Sequence, residues 1–203
     1  MSQIPQLMSG RALEHGIAMA VDHGGTNSAK MYVGGQANAD VAAGTALTGT
    51  TDETALASYT IPANTLVAGS TIRIRAAGLV VTGGNGNIQL QIKLDDSSTA
   101  IASAIAVANS TATASLATND IFDFDTLIQI RTAGATGTGT AVAISDFFLH
   151  TPGSTDVGKR ELKASFDVDT TVDNLLQITG DLTSGSDSVR SDIFVVDIVN
   201  PST

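Results

Sequence analysis

Residues 88–94, IQLQIKL, decide the fold class, because every second side chain in this stretch is apolar. A period of two places neighbouring side chains on opposite faces of a β-strand, so the segment predicts a strand with one buried face. Residues 70–81, STIRIRAAGLVV, repeat the pattern, with Arg73 and Arg75 on the polar side. The Gly- and Asn-rich residues 83–87 between the two segments are typical of a tight turn. We therefore predict that these two strands form a hairpin.

The same pattern extends over the rest of the chain from residue 51. Further strand-like segments are separated by Gly, Asn, Asp and Ser, and they lie at 54–61, 99–107, 121–132, 140–149, 162–169, 174–179 and 189–199. Pro62, which cannot donate a hydrogen bond to a strand ladder, ends the first of them. About eight short strands with regular turns predict an all-β fold, an antiparallel β-sandwich that is jelly-roll-like, over residues 51–203.

The composition supports an all-β chain and limits its partners. Of the 20 acidic residues 17 are Asp, and the Glu, Lys and Arg that fill surface helices are scarce. The formal net charge of −10 argues against nucleic acid as a partner, since phosphate binding needs clustered Lys and Arg. Aromatic residues make up 4% of the chain and Trp is absent. A core of mainly aliphatic side chains is thin, and we expect contacts between subunits to add stability.

Features that the sequence lacks argue against several kinds of functional site and of cellular location. Without cysteine, the chain has no disulfide, thiolate metal site or cysteine nucleophile. No run of 18 apolar residues occurs, so we expect no transmembrane helix and no membrane partner. The first residues, MSQIPQLMSGRALEHG, do not show the charged start and apolar run of a signal peptide. These features fit a protein made in the cytoplasm.

Residues 1–50 differ from the rest of the chain, because apolar residues are dilute in them. We predict an extended N-terminal arm here, with at most one short helix near residues 10–20. Two interpretations stay open. The arm is either a disordered tail or a segment that docks on a neighbouring subunit or on a shell.

Three further segments resemble a known family. They are Thr60-Ile-Pro-Ala-Asn-Thr-Leu66, followed by Gly69, Ile72-Arg-Ile74 and Ala77-Gly78; Ile130-Arg-Thr-Ala-Gly134; and Asp169-Thr-Thr-Val-Asp-Asn-Leu-Leu-Gln-Ile-Thr179. In this order and spacing they are similar to motifs of bacteriophage virion jelly-roll proteins, which include capsid-decoration, head-fibre and tail-fibre proteins. The family usually has a Trp after the last segment, where this chain has Gly180-Asp-Leu-Thr. The resemblance covers about residues 51–199.

The resemblance implies a structural virion protein, commonly a homotrimer, without a catalytic role. The expected function is that of a capsid-decoration or head-fibre protein on the outer surface of the virion, made in the host cytoplasm. The expected partners are further copies of the chain and the major capsid protein or another virion protein. The alternative is a tail-fibre or receptor-binding module that recognises a host-surface glycan. A third possibility, an enzyme that cleaves glycans, would need two carboxylates at a fixed separation in a cleft.

Two pairs of aspartates are the weak candidates for a metal site. Asp123 and Asp125, and likewise Asp167 and Asp169, are two residues apart, so we expect each pair to share one strand face. Such carboxylates can bind Ca²⁺ or act as acid and base. The favoured interpretation is a solvated strand surface, and the spacing of a helix–loop–helix calcium site is absent. We therefore assign no catalytic, cofactor or metal residue.

We predict structural roles, and not catalytic ones, for the remaining polar residues. His15, His23 and His150 are too scattered for a zinc motif or a Ser-His-Asp triad. Arg73 and Arg75 lie on one strand face, and we expect them to pair with Asp residues on adjacent strands or subunits, with Arg131 pairing nearby.

Overall fold

The computed structural model describes residues 33–39, 42–81, 86–110, 113–114, 118–150 and 156–200. Within these ranges the regular elements are twelve β-strands and one short 3-10 helix, Ile101–Ser103. The strands are β1 Val33–Ala39, β2 Leu47–Thr48, β3 Thr54–Ile61, β4 Thr71–Val81, β5 Asn87–Asp96, β6 Ile105–Asn109, β7 Thr113–Ala114, β8 Thr118–Thr132, β9 Thr140–His150, β10 Val157–Asp167, β11 Asn174–Leu182 and β12 Ser188–Asn200. None of the helices in this part of the chain is long and apolar enough to span a bilayer.

The strands form two antiparallel sheets. Sheet A has the order β1-β12-β4-β8-β9-β10, with β2 also paired to β12, and sheet B has the order β3-β11-β5-β6, with β7 also paired to β5. Buried apolar side chains from the two sheets form one core between them. The expected all-β antiparallel sandwich is confirmed.

The connectivity is that of a jelly roll with one inserted hairpin. Along the chain, β2, β4, β8 and β12 belong to sheet A, while β3, β5, β6 and β11 belong to sheet B. Among these eight strands, successive strands lie in different sheets except for β5 and β6, as in the two nested Greek keys of a jelly roll. The hairpin of β9 and β10 is the insertion, and it widens sheet A beyond β8.

The predicted hairpin between residues 70–81 and 88–94 is wrong. Both segments are strands, but β4 lies in sheet A between β12 and β8, whereas β5 lies in sheet B between β11 and β6. The residues of the intervening turn show where the chain changes direction. They do not show which sheet the next strand joins, and here the chain crosses the sandwich.

The sandwich also begins earlier than residue 51. Backbone pairing places β1 and β2 beside β12 in sheet A, with Val33 opposite Asn200 and Thr48 opposite Ser188. The end of the segment predicted as an arm thus supplies an edge of the sheet. The predicted helix near residues 10–20 and the rest of the arm, residues 1–32, lie outside the described residues.

The core is built from the inward faces predicted by the alternation. Its largest fully buried side chains are Phe122, Phe124, Phe194, Ile61, Ile72, Ile74, Leu90, Ile92, Leu94, Ile128, Ile130 and Leu176. The rings of Phe124 and Phe147 pack at a centroid distance of 4.8 Å. Two hydroxyl groups interrupt this apolar layer, those of Thr126 and Ser145, and they hydrogen-bond each other at 2.7 Å. Each hydroxyl therefore has a hydrogen-bond partner, so neither group is left unsatisfied by its burial.

Candidate functional site

The outer face of sheet A exposes large apolar side chains in rows that cross several strands. Leu127 on β8, Ile144 on β9 and Leu162 on β10 are register neighbours, so they form one continuous row. Their exposed fractions are 42%, 42% and 68%. Phe148 on β9 and Ile193 on β12 are also exposed and lie further along the same face. Scattered apolar residues are ordinary on a protein surface, but a connected patch marks a site of interaction.

Paired charges run between these apolar rows. Arg73 donates to Asp125 at 2.8 Å, and Arg75 lies 3.3 Å from Asp123. The predicted pairing of both arginines with aspartates on an adjacent strand is confirmed, while Arg131 is in none of the ion pairs formed by the described residues. The hydrogen bond to Asp125 raises the pKa of Arg73 above its ordinary value. Both candidate aspartates on β8 thus serve as counter-ions.

A third ion pair on this face is bidentate, with two hydrogen bonds between one arginine and one carboxylate. Arg160 on β10 donates through Nε to one carboxylate oxygen of Asp146 at 2.6 Å and through Nη2 to the other at 2.8 Å. Two parallel hydrogen bonds fix both planar groups in one orientation. The hydrogen bond from Arg160 holds the pKa of Asp146 below its ordinary value. The charges on this face are therefore largely cancelled within the face itself.

The outer face of sheet B is polar and partly covered by chain. Lys93 lies on this face, as the alternation predicts, but only 4% of the residue is exposed. Its Nζ is 2.7 Å from Oε1 of Glu53, and it also donates to the carbonyl of Ile101 at 2.7 Å. Glu53 accepts a further hydrogen bond from Thr179 at 2.7 Å. This cluster fastens the residues before β3 and the 3-10 helix onto the sheet, and we assign it a structural role.

The three segments of the family resemblance meet at one end of the sandwich, here called the motif pole and defined by Asn64, Gly134, Thr170 and Asn174. The backbone N–H of Asn64 donates to the carbonyl of Thr170 at 2.8 Å, and the N–H of Thr170 donates to the carbonyl of Gly134 at 2.9 Å. Asn174 donates to the carbonyls of Asp169 and Val172. Asn64 has a φ of 60°, which asparagine tolerates better than most residues. The three segments that resemble the family therefore connect the loops of the motif pole to one another through hydrogen bonds.

Asp167 and Asp169 do not share a strand face, contrary to the expectation. Strand β10 ends at Asp167, and Asp169 lies in the following turn. One carboxylate oxygen of Asp169 accepts from the hydroxyl and the N–H of Thr171, and the other accepts from both donors of Thr136 at 3.0 Å. These hydrogen bonds, with the hydroxyl of Thr171 first, lower the pKa of Asp169 to about 2. The carboxylate caps a turn.

The other candidate positions remain separate. His150 is exposed at the end of β9, where its Nδ1 lies 2.7 Å from Asp156, and His15 and His23 lie outside the described residues. No group of three or more acidic or histidine side chains that could hold a metal ion occurs in the ranges given above. A cleft of about 200 Å³ lies beside Leu79, Asn119 and Arg190. Pockets for small ligands usually enclose about 300–1,000 Å³.

The apolar rows on the outer face of sheet A were not predicted from the sequence. A signal was present in residues 140–149, TAVAISDFFL, where apolar residues occupy both phases of the alternation. A strand with one solvated face carries them in one phase only.

Comparison with known proteins yields no family. No protein-family model and no curated protein matches the chain. Among solved structures, the chain is similar to one described as the structure of infectious bursal disease virus Gx strain, with a TM-score of 0.31 and 13% identity. The match covers 92% of this chain and 47% of that chain, so this chain spans about half the length of the structure that it matches. Likeness at this level does not bear on function.

Proposed function

We propose that this protein is a structural component of a virion, a jelly-roll subunit that attaches to the outer surface of a capsid as a decoration or head-fibre protein. The observation that carries the proposal is the connected apolar face of sheet A on a domain of jelly-roll topology. Jelly rolls occur in viral capsid proteins and also in lectins and cupins, so the topology alone does not decide between them. An exposed, rigid, apolar sheet face suits permanent association with other proteins.

The position of the N-terminal segment supports attachment at one end. Val33 begins β1 opposite Asn200, the last residue of β12, and Asn200 hydrogen-bonds Ser70 and the carbonyl of Thr65 at the motif pole. The first described residue of β1 therefore lies at this pole. We propose that residues 1–32 dock on the capsid, with the motif pole toward the particle and the opposite pole outward.

Co-sedimentation tests this proposal directly. The purified chain is mixed with empty shells assembled from the major capsid protein encoded by the same genome, and the pellet is assayed for both proteins. We expect saturable binding by the full chain. A variant lacking residues 2–32 retains every described strand and should lose shell binding, and its unfolding transition verifies that it is folded. If the shortened chain binds as well as the full chain, the docking role of the arm is wrong.

The receptor-binding alternative predicts a different result. A tail-fibre module would leave shells in the supernatant and bind host cells or an array of host-surface glycans. The same two preparations distinguish the functions, because a protein that binds glycans and ignores shells refutes the decoration proposal.

A further inference from the structure

We infer that the outer face of sheet A is a self-association surface, covered in the assembled protein by a second copy of this chain. The inference deepens the proposed function and rests on it for the purpose of assembly. The surface is defined by Leu127, Ile144, Leu162 and Phe148, together with the three arginine–aspartate pairs between them.

The face is large enough to hold two copies together. Its six strands, at about 4.8 Å spacing, span roughly 29 Å, and strands of about eleven residues at roughly 3.3 Å per residue span about 36 Å. The product is roughly 1,000 Å² per copy. A stable interface needs about 800 Å² per partner, so partial overlap of two such faces suffices.

The charge distribution favours a copy of the same chain over a strongly charged partner. The chain has a formal net charge of −10, so two copies repel through most of their surfaces. On the outer face of sheet A, Arg73, Arg75 and Arg160 are each paired with an aspartate. A nearly neutral face offers no net field to a charged partner. Two copies of this acidic chain, however, repel each other little when they approach through their nearly neutral faces.

The edge of sheet A is a poorer contact than its face. Strand β10 is the last strand in the sheet order and carries Lys159, Arg160, Glu161 and Lys163 within five residues. Charged side chains, lysine above all, discourage a second chain from pairing along a sheet edge. Leu162, by contrast, points outward from the face and is the most exposed of the large apolar side chains among the described residues. Association through faces is thus favoured over extension of the sheet at β10.

Light scattering at several protein concentrations tests the inference on the full chain. The wild type should have a mass of two or more chains. The double variant Ile144→Asp/Leu162→Asp should dissociate, with a dissociation constant raised by at least about 100-fold, because each copy loses two apolar contacts and gains two carboxylates. The matched control is Ser58→Asp/Thr60→Asp, which adds the same charges to exposed positions of β3 in sheet B and should leave the mass unchanged. Thermal unfolding of both variants verifies that they are folded.

The outcomes separate this inference from the proposed function. A monomeric wild type, or a sheet A variant with unchanged mass, overturns self-association through this face, whatever the shells do. A monomeric wild type whose shell binding is abolished by Ile144→Asp/Leu162→Asp shows that capsid protein covers the face instead. That result overturns the second-copy inference and supports the virion function. A wild-type oligomer that dissociates in the sheet A variant and never binds shells supports the inference and refutes the function.

Discussion

Replacing Glu53 with alanine should destabilise the protein by about 3 kcal/mol, although Glu53 lies outside the core. The cause is Lys93, whose side chain is 5% exposed and whose Nζ has Glu53 and the carbonyl of Ile101 as partners. Without the Glu53 carboxylate, the buried ammonium of Lys93 keeps one of these two acceptors, the carbonyl of Ile101. Breaking a buried pair in this way costs about 3–5 kcal/mol. We expect the lower end of that range because the side chain of Glu53 is 20% exposed, and water can enter the space it leaves.

Thermal and urea unfolding followed by circular dichroism measure this effect. In a chain of this length, about 1 kcal/mol lowers the midpoint by roughly 2–4 °C, so Glu53→Ala should lose about 6–12 °C. The matched control is Asp156→Ala, outside the surface that we propose is covered by a second copy. Its carboxylate lies 2.7 Å from Nδ1 of His150, but the two side chains are 38% and 50% exposed, so the loss of this contact should shift the midpoint far less than Glu53→Ala does.

A double change separates the charge from the packing. Glu53→Leu combined with Lys93→Met removes both charges and keeps most of the volume, and it should recover much of the stability lost in Glu53→Ala. The reasoning fails if Glu53→Ala unfolds within about 1 °C of the wild type. It also fails if the double variant is less stable than the single one, because the cluster would then contribute through packing and not through a stranded charge.

Two further predictions concern the motif pole. Gly139→Ala should destabilise the domain by about 1–3 kcal/mol in urea unfolding, because the new Cβ would lie 2.0 Å from the carbonyl oxygen of Val168. Gly158→Ala, where nothing lies closer than 3.6 Å, should be nearly neutral, and equal losses would contradict this account. The carboxyl of Asp169 should titrate with a pKa of about 2 in carbon-detected NMR, and Thr171→Val should raise it. Since that pKa lies below the ordinary 3.8, the stability that Asp169 adds is complete above about pH 4 and is lost toward pH 2. The difference in midpoint between wild type and Asp169→Asn should shrink over that range, and a constant difference would refute the assignment.

The strands could be predicted from sequence because burial on one side imposes a period of two. Residues 54–61 form β3 at the predicted bounds, and Phe122, Phe124 and Phe166 point inward as expected. What the period leaves open is the partner of each strand. The wrong hairpin between β4 and β5 shows this, since adjacency in sequence says nothing about which sheet a strand joins when the chain crosses the sandwich.

The properties of individual side chains depended on contacts between distant parts of the chain. Lys93 has the sequence context of a solvated strand residue, and it is buried because Glu53, forty residues earlier, folds over it. Asp169 follows the spacing of a strand pair, but the hydroxyls of Thr171 and Thr136 draw it into a turn. The apolar row of sheet A joins residues from three strands, and no local pattern could show that Leu127, Ile144 and Leu162 are neighbours.

The pairing of early strands with late ones makes folding conditional on the synthesis of β11 and β12. Strand β12 separates β1 from β4 in sheet A, and β3 pairs with β11. A growing polypeptide therefore has no partner for β1, β2 and β3 until these two late strands have been made. Sheets dominated by such distant pairings fold slowly, in milliseconds to seconds. A fragment that ends before β12 keeps Leu127, Ile144 and Leu162, but it lacks the strand that joins β1 and β2 to the rest of sheet A and that contributes Phe194 and Val196 to the core. We therefore expect such a fragment not to fold into the sheet that displays the self-association surface. We expect truncated products to be kept out of the proposed assembly in this way, without a separate checkpoint.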